Sequence, residues 1–244
     1  MIDAKALEGH WRRNWIKAPG FFDDTTRVDW LQAPDGYVDM RIPSDLPDLT
    51  GVQALAQLDT PTLASLMRSE GFAGTIKVVD AVCTWDRAIN WHGTPLGADV
   101  GAMDWDAAGH LIETGVYADY AEEWAGMKTA PLRYRRLVSG DLQMHVCWSA
   151  SGFLFGIGNP NAPATAPLIA ALQAGQRPVA QLEEHFLGLF AMGEWEGATG
   201  IIRLATSPTM VGQDFPGPDS LAKGVFSTVR SDFHGAPLTE DWSG

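Results

Sequence analysis

The sequence predicts a mainly β protein made of two antiparallel β-barrel lobes, each carrying a short helix. Three observations predict it. Short runs rich in β-branched and aromatic residues recur along the chain, separated by Pro, Gly, Asp or Asn. Within these runs polar and apolar side chains alternate with a period of two, the pattern of a sheet with two unlike faces. The order strands, helix, strands occurs twice.

In the first half the strand runs are residues 10–17, 25–32, 37–42, 71–79, 82–91, 100–106 and 110–116. A helix stands between the third and fourth: Thr60 serves as cap, Pro61 suits the first helical position, and Leu63, Leu66 and Met67 share one side before Gly71 ends it. In the second half, LRYRRLVSGDLQMHVCWSASGFLFGIG reads as three strands joined by compact hairpins at Ser139-Gly140-Asp141 and Ser151-Gly152. APLIAALQAG follows as a short helix bounded by Pro167 and Gly175. Residues 186–194 and 200–206 read as returning strands, with 179–187 open between strand and helix. From Pro208 onward, Pro, Gly and Asp suggest an irregular tail that packs weakly. The break near Lys128 to Pro131 divides the chain into a first lobe, residues 1–127, and a second, residues 128–244.

A chain of 244 residues that is 45% hydrophobic supports one large core or two modest ones. Its net charge of −13 argues against nucleic acid and anionic membrane surfaces as partners. The start, MIDAKALEGHWRR, lacks the apolar stretch of a secretory signal, and no apolar run approaches the roughly 20 residues that span a bilayer. A cytoplasmic location is therefore expected, with Cys83 and Cys147 as reduced thiols buried in strands. The histidines show no H-E-x-x-H spacing and neither cysteine belongs to a C-x-x-C, so no metal site is expected. No G-x-S-x-G occurs, GFLFGIGNP lacks a P-loop lysine, and no cofactor is expected.

Gly9-His10-Trp11 forms a G-x-W triplet that resembles the opening motif of lipocalins and other calycins, where the tryptophan closes one barrel end beneath an arginine. The longer pattern GHWRR, TTRVDWLQ, YVDMRIP, EGFAG, CTWDRAINW, LIETGV and YAEEW is similar to a bacterial and fungal family of two-lobed calycin-like proteins. Fungal members of that family include a kinase-interacting protein of the Hri type. The resemblance covers residues 6–126 well and the remainder faintly. It implies two small calycin-like barrels side by side; it carries over no catalytic residue and does not imply kinase binding. Heme barrels of the nitrobindin type use a G-x-W-x-G-x-G opening, which is absent because Trp11 is followed by Arg13 and Trp15.

A barrel of about eight strands can enclose one small molecule. Alternation puts Trp11, Arg13 and Trp15 on one face, Val28, Trp30 and Gln32 on another strand's matching face, and Cys83, Trp85, Arg87, Ile89 and Trp91 together. Arginines among inward tryptophans need partners: carboxylates such as Glu113 or Glu123, or an anionic group on a ligand. The polar side of Tyr37, Asp39 and Arg41 reads as solvent-facing, and Asp119, Tyr120, Glu122 and Glu123 as a solvated rim. The expected function is binding of a small hydrophobic molecule with an acidic or carbonyl group, walled by Trp30, Trp85 and Trp91 and anchored by Arg13 or Arg87. One alternative is a cofactor-independent isomerase or cyclase of a lipophilic substrate, with Glu113, Tyr120 or Glu123 as acid or base. The other is a protein-interaction scaffold whose barrels are filled.

Overall fold

The computed structural model describes residues 2–49, 51–95 and 97–244. Its first sheet contains β1 (Gly9–Ala18), β2 (Phe21–Asp23), β3 (Arg27–Ala33), β4 (Gly36–Ile42), β5 (Glu70–Val79), β6 (Val82–Asn90), β7 (Asp99–Trp105), β8 (Leu111–Gly115) and β9 (Ala121–Met127). Neighbouring strands are antiparallel, and β1 also pairs with β9, which closes the sheet into a barrel and removes its edges. The second sheet contains β10 (Arg133–Ser139), β11 (Leu142–Ser149), β12 (Gly152–Gly158), β13 (Leu189–Glu196), β14 (Thr199–Ala205), β15 (Asp214–Phe215), β16 (Val225–Ser231) and β17 (Pro237–Ser243). It curls into a nearly closed barrel in the order β15-β14-β13-β12-β11-β10-β17-β16. The protein is thus mainly β, with two antiparallel barrels.

Helix α1 (Thr60–Leu66) links β4 to β5. Its cap is Asp59 and not Thr60: the Asp59 carboxylate accepts from the Thr62 amide at 2.9 Å, while Leu63 and Leu66 point into the core. Asp59→Ala should lower the melting temperature by about 2–4 °C, whereas Thr60→Ala should leave it unchanged. Thermal unfolding of the two variants side by side checks the assignment. Among the described residues the second half holds α2 (Ala166–Gln173) as expected, α3 (Val179–His185), which settles the open segment as helix, and α4 (Pro218–Lys223), which was not expected.

The segment after Pro208 is ordered structure and no loose tail. Its hairpin β16–β17 extends the second sheet beside β10, and Leu221, Phe233 and Trp242 are buried. Inside the barrel, Arg230 and Glu240 pair at 2.6 Å with both side chains about 5% exposed. Turn residues spaced among the strands concealed a period-two pattern, Phe226, Thr228 and Arg230 facing Trp242, Glu240 and Leu238 across the hairpin.

Strand β4 is buried on both faces, which reverses the reading of its polar side. Tyr37 and Asp39 are 0% and 3% exposed inside the first barrel, with Arg41 beside them. Val38, Met40 and Ile42 lie on the outer face, in a core shared with Cys147, Leu154 and Phe190 of the second barrel. The apolar face marked the seam between barrels, not the lumen. Gly71 makes room for that seam, since a Cβ there would stand 2.3 Å from the Phe190 ring.

Two β-bulges redirect side chains that strict alternation had grouped. Between Arg13 and Trp15 the β1–β9 register shifts, so Trp15 pairs with Glu123 on the outside while Arg13 and Trp124 stay inside. Between Ala73 and Gly74 the β5–β6 register shifts, so Arg87 faces Gly74 while Ile89 pairs with Ala73 on the outer, seam face. Trp91, two residues on, follows Ile89 out of the first barrel and joins the seam core.

Candidate functional site

The lumen of the first barrel gathers most of the residues that the sequence singles out, and they fill it. Trp30 packs against Trp85 at 5.8 Å and Trp124 at 5.7 Å between ring centroids, with Trp11 at 6.3 Å. Each arginine has found carboxylates. Arg13 donates to Glu122 at 2.8 Å and to Asp23 at 3.0 Å; Arg41 donates to Asp39 at 2.9 Å; Arg87 donates to Asp99 and lies 3.7 Å from the Phe72 ring centre. Sequence reasoning anticipated carboxylate partners but named Glu113 and Glu123, because it left Tyr117 to Trp124 outside the barrel wall. Glu122 is in fact 2% exposed on the closing strand β9, next to Trp124.

Glu113 accepts from the Tyr120 hydroxyl at 2.7 Å and from the Trp124 indole at 3.2 Å. Burial and the neighbouring Glu122 charge push its carboxyl up to about 8, so it holds a proton at neutral pH. Burial likewise raises Asp39 to about 6 against the pull of Arg41. On the outer face of β3, Asp29 behaves oppositely: burial works against its charge, but hydrogen bonds from His10, Arg27 and Arg12 hold it well below the usual carboxylate range. Glu123 faces outward, where Asn14 donates to it at 2.9 Å. There Asp106, His110 and Glu123 bring one donor atom each within 4.8 Å, a half-buried trio drawn from two separate parts of the chain and hidden from spacing motifs.

A more apolar concavity lies elsewhere. At one end of the second barrel a cleft of about 620 Å³ is walled by Trp91, Leu142, Ile157, Leu168, Leu187 and Leu238. The β10–β11 hairpin, the β12–β13 connection with α2 and α3, and the start of β17 surround it, and Trp91 reaches it from the first barrel. His185, at the end of α3, meets the Trp91 ring edge-on with centroids 4.4 Å apart. Burial, reinforced by nearby His92, pushes the His185 imidazole down to about 3, so it is neutral. Trp91 Nε1 and His185 Nε2 are both shielded from solvent and have no hydrogen-bond partner among the described residues. A buried polar atom without a partner is costly, and the first barrel holds such atoms too, in Trp30 Nε1, the Tyr37 hydroxyl and Arg87 Nε.

A smaller depression of about 420 Å³ opens beside Trp85, Arg87 and Asp99 on the first barrel. None of Glu113, Tyr120 and Glu123 lines it or the cleft. The structure therefore brings Arg13, Trp30, Trp85 and Arg87 to the first barrel and separates Trp91 from them. Sequence reasoning missed His185 altogether. Its signal was faint, a lone histidine at the end of a segment left open between helix and strand.

No family model matches the chain, and no curated protein matches it. Among solved structures, that of the uncharacterized protein YLR301w from Saccharomyces cerevisiae is similar: TM-score 0.53 at 13% identity, with 96% of each chain covered. At that identity the likeness shows the two-barrel fold alone.

Proposed function

We propose that the chain is a binding protein for a small hydrophobic molecule carrying an acidic or carbonyl group, and that it takes this molecule into the cleft at the end of the second barrel. The observation that carries this reading is the apolar-walled space of about 620 Å³ itself, at whose edge the Trp91 and His185 rings meet. A ligand site of this kind combines mostly apolar wall with a few polar groups that fix orientation. The first-barrel lumen is a poorer candidate because its tryptophans pack on one another and its arginines are neutralised by carboxylates. The G-x-W opening supports the resemblance to the two-lobed calycin-like family, and the likeness to the yeast structure supports the two-barrel fold that the resemblance implies. The buried, unpaired Cys83 and Cys147 support a cytoplasmic location.

Titration with Nile red, followed by two-dimensional NMR of the tryptophan indoles, tests the site. Saturable binding should move the Trp91 indole resonance and leave that of Trp30 in place. Absence of saturable binding, or movement of Trp30 and Trp85 without Trp91, would refute the cleft.

A further inference from the structure

The outer wall of the first barrel carries a cluster that neither the lumen nor the cleft uses. Asp106 follows β7, His110 precedes β8 and Glu123 lies within β9. The tight turn from β7 to β8 places the first two: Asp106 Oδ1 accepts from the Ala108 and His110 amides at 2.8 Å each, and Gly109 takes a φ of +87°. Asp106 Oδ2 is left 3.5 Å from His110 Nδ1. Glu123 pairs across the sheet with Ile112, the next outward position after His110, and its Oε1 stands 3.6 Å from the same nitrogen. Asn14 donates to that Oε1 at 2.9 Å and steadies the carboxylate.

These separations set the trio apart from a hydrogen-bonded ion pair. Both exceed the length of an N–H···O hydrogen bond, about 2.7–3.2 Å. They match the edge of a metal tetrahedron, because bonds of about 2.0–2.2 Å put neighbouring ligand atoms roughly 3.3–3.6 Å apart. The third edge closes within 4.8 Å. Among the described residues no lysine or arginine pairs with Asp106 or Glu123, whereas the lumen carboxylates of Glu122, Asp39 and Asp99 each meet an arginine. The imidazole selects among cations: it suits zinc and its transition-metal neighbours, while calcium and magnesium take oxygen ligands.

We propose that Asp106, His110 and Glu123 form a three-ligand site for a divalent ion of the zinc class. Their side chains are 29%, 40% and 18% exposed, so an ion reaches them from solvent and water completes its coordination. The site does not depend on the cleft and stands or falls without it.

The test is titration of the chelator-treated full chain at pH 7.5 with Zn(II) by calorimetry and with Co(II) by visible absorption. One equivalent should bind, and cobalt should show the intense bands of a four-coordinate centre. His110→Ala should abolish binding. Asp106→Asn, which keeps the oxygen that the turn needs, should weaken it, and Asn14→Ala should weaken it by about tenfold, as loss of an outer partner to a ligand does. In the unmutated protein the His110 ring resonances should move with the first equivalent of zinc, which reads the contact without a substitution. His234→Ala removes the imidazole of the exposed Glu183–His234 pair and should change nothing. No saturable binding, equally tight binding of Ca(II), binding that survives His110→Ala, or binding that disappears with His234→Ala would each overturn the site, the last two as adventitious surface coordination only.

Discussion

Arg13→Met should destabilise the protein by about 3–5 kcal/mol, the range for removing one member of a buried ion pair. The Arg13 side chain is 5% exposed and its partner Glu122 is 2% exposed, so solvent cannot take over the lost role. Methionine fills similar volume, which leaves the uncompensated Glu122 and Asp23 carboxylates as the cause of the loss. Arg41, 3.5 Å from Glu122, offers only partial relief. Adding Glu122→Gln should recover part of the stability, giving a favourable coupling between the two positions. Arg87→Met should cost less, since Arg87 and Asp99 are each about one-fifth exposed. Urea unfolding at pH 7 measures all three. Equal losses for Arg13→Met and Arg87→Met would mean that the two pairs are equally wet and the lumen is not the closed space described.

The second large effect is on pH. Folded Glu113 keeps its proton up to about 8, whereas its ordinary value is 4.5. Folding therefore takes up a proton between those values: the contribution is complete below about 4.5 and is lost as pH rises through about 8. Asp39, raised to about 6, acts in the same direction. Asp23 and Asp29 are held low and act in the opposite sense, losing their contribution only in strong acid. Stability should thus peak in mildly acidic solution and decline toward pH 8. Glu113→Gln, an uncharged mimic of the protonated side chain, should match the parent near pH 4 and exceed it at pH 8.5 by on the order of 4 kcal/mol. Melting curves of both proteins across that interval decide it. Parallel pH profiles would show that Glu113 is ionised in the folded barrel.

Much of the fold was legible because local pattern and final structure agree along most strands. The aromatic and β-branched runs of the first half became β1 and β3 to β8, and the hairpin residues at 139–141 and 151–152 turn the chain as expected. Where the reading failed, it failed for a nameable reason. Period-two counting assumes an unbroken register, and single-residue bulges near Asn14 and Ala88 sent Trp15 and Trp91 to the opposite face. Hydrophobicity alone cannot say which apolar side meets a lumen and which meets a neighbouring barrel, so Asp39 and Arg41 were assigned to solvent. Glu122 was passed over because a cluster of acids resembles a wet rim until the strand that carries it is paired. The cleft was invisible for a deeper reason. Trp91, His185 and Glu240 lie far apart in sequence: the folding of the second barrel gathers His185 and Glu240, and only the docking of the first barrel on it brings Trp91 to them.

The two-faced burial of β4 bears on how the chain is made. Every backbone rung of the first barrel can form once β9 has emerged from the ribosome, yet Leu31, Val38, Met40 and Ile42 still wait for Cys147, Leu154 and Phe190. Synthesis thus passes through a stage in which a sheet already ringed shut wears a greasy stripe. The nascent protein must be shielded there until β11, β12 and β13 arrive to cover it.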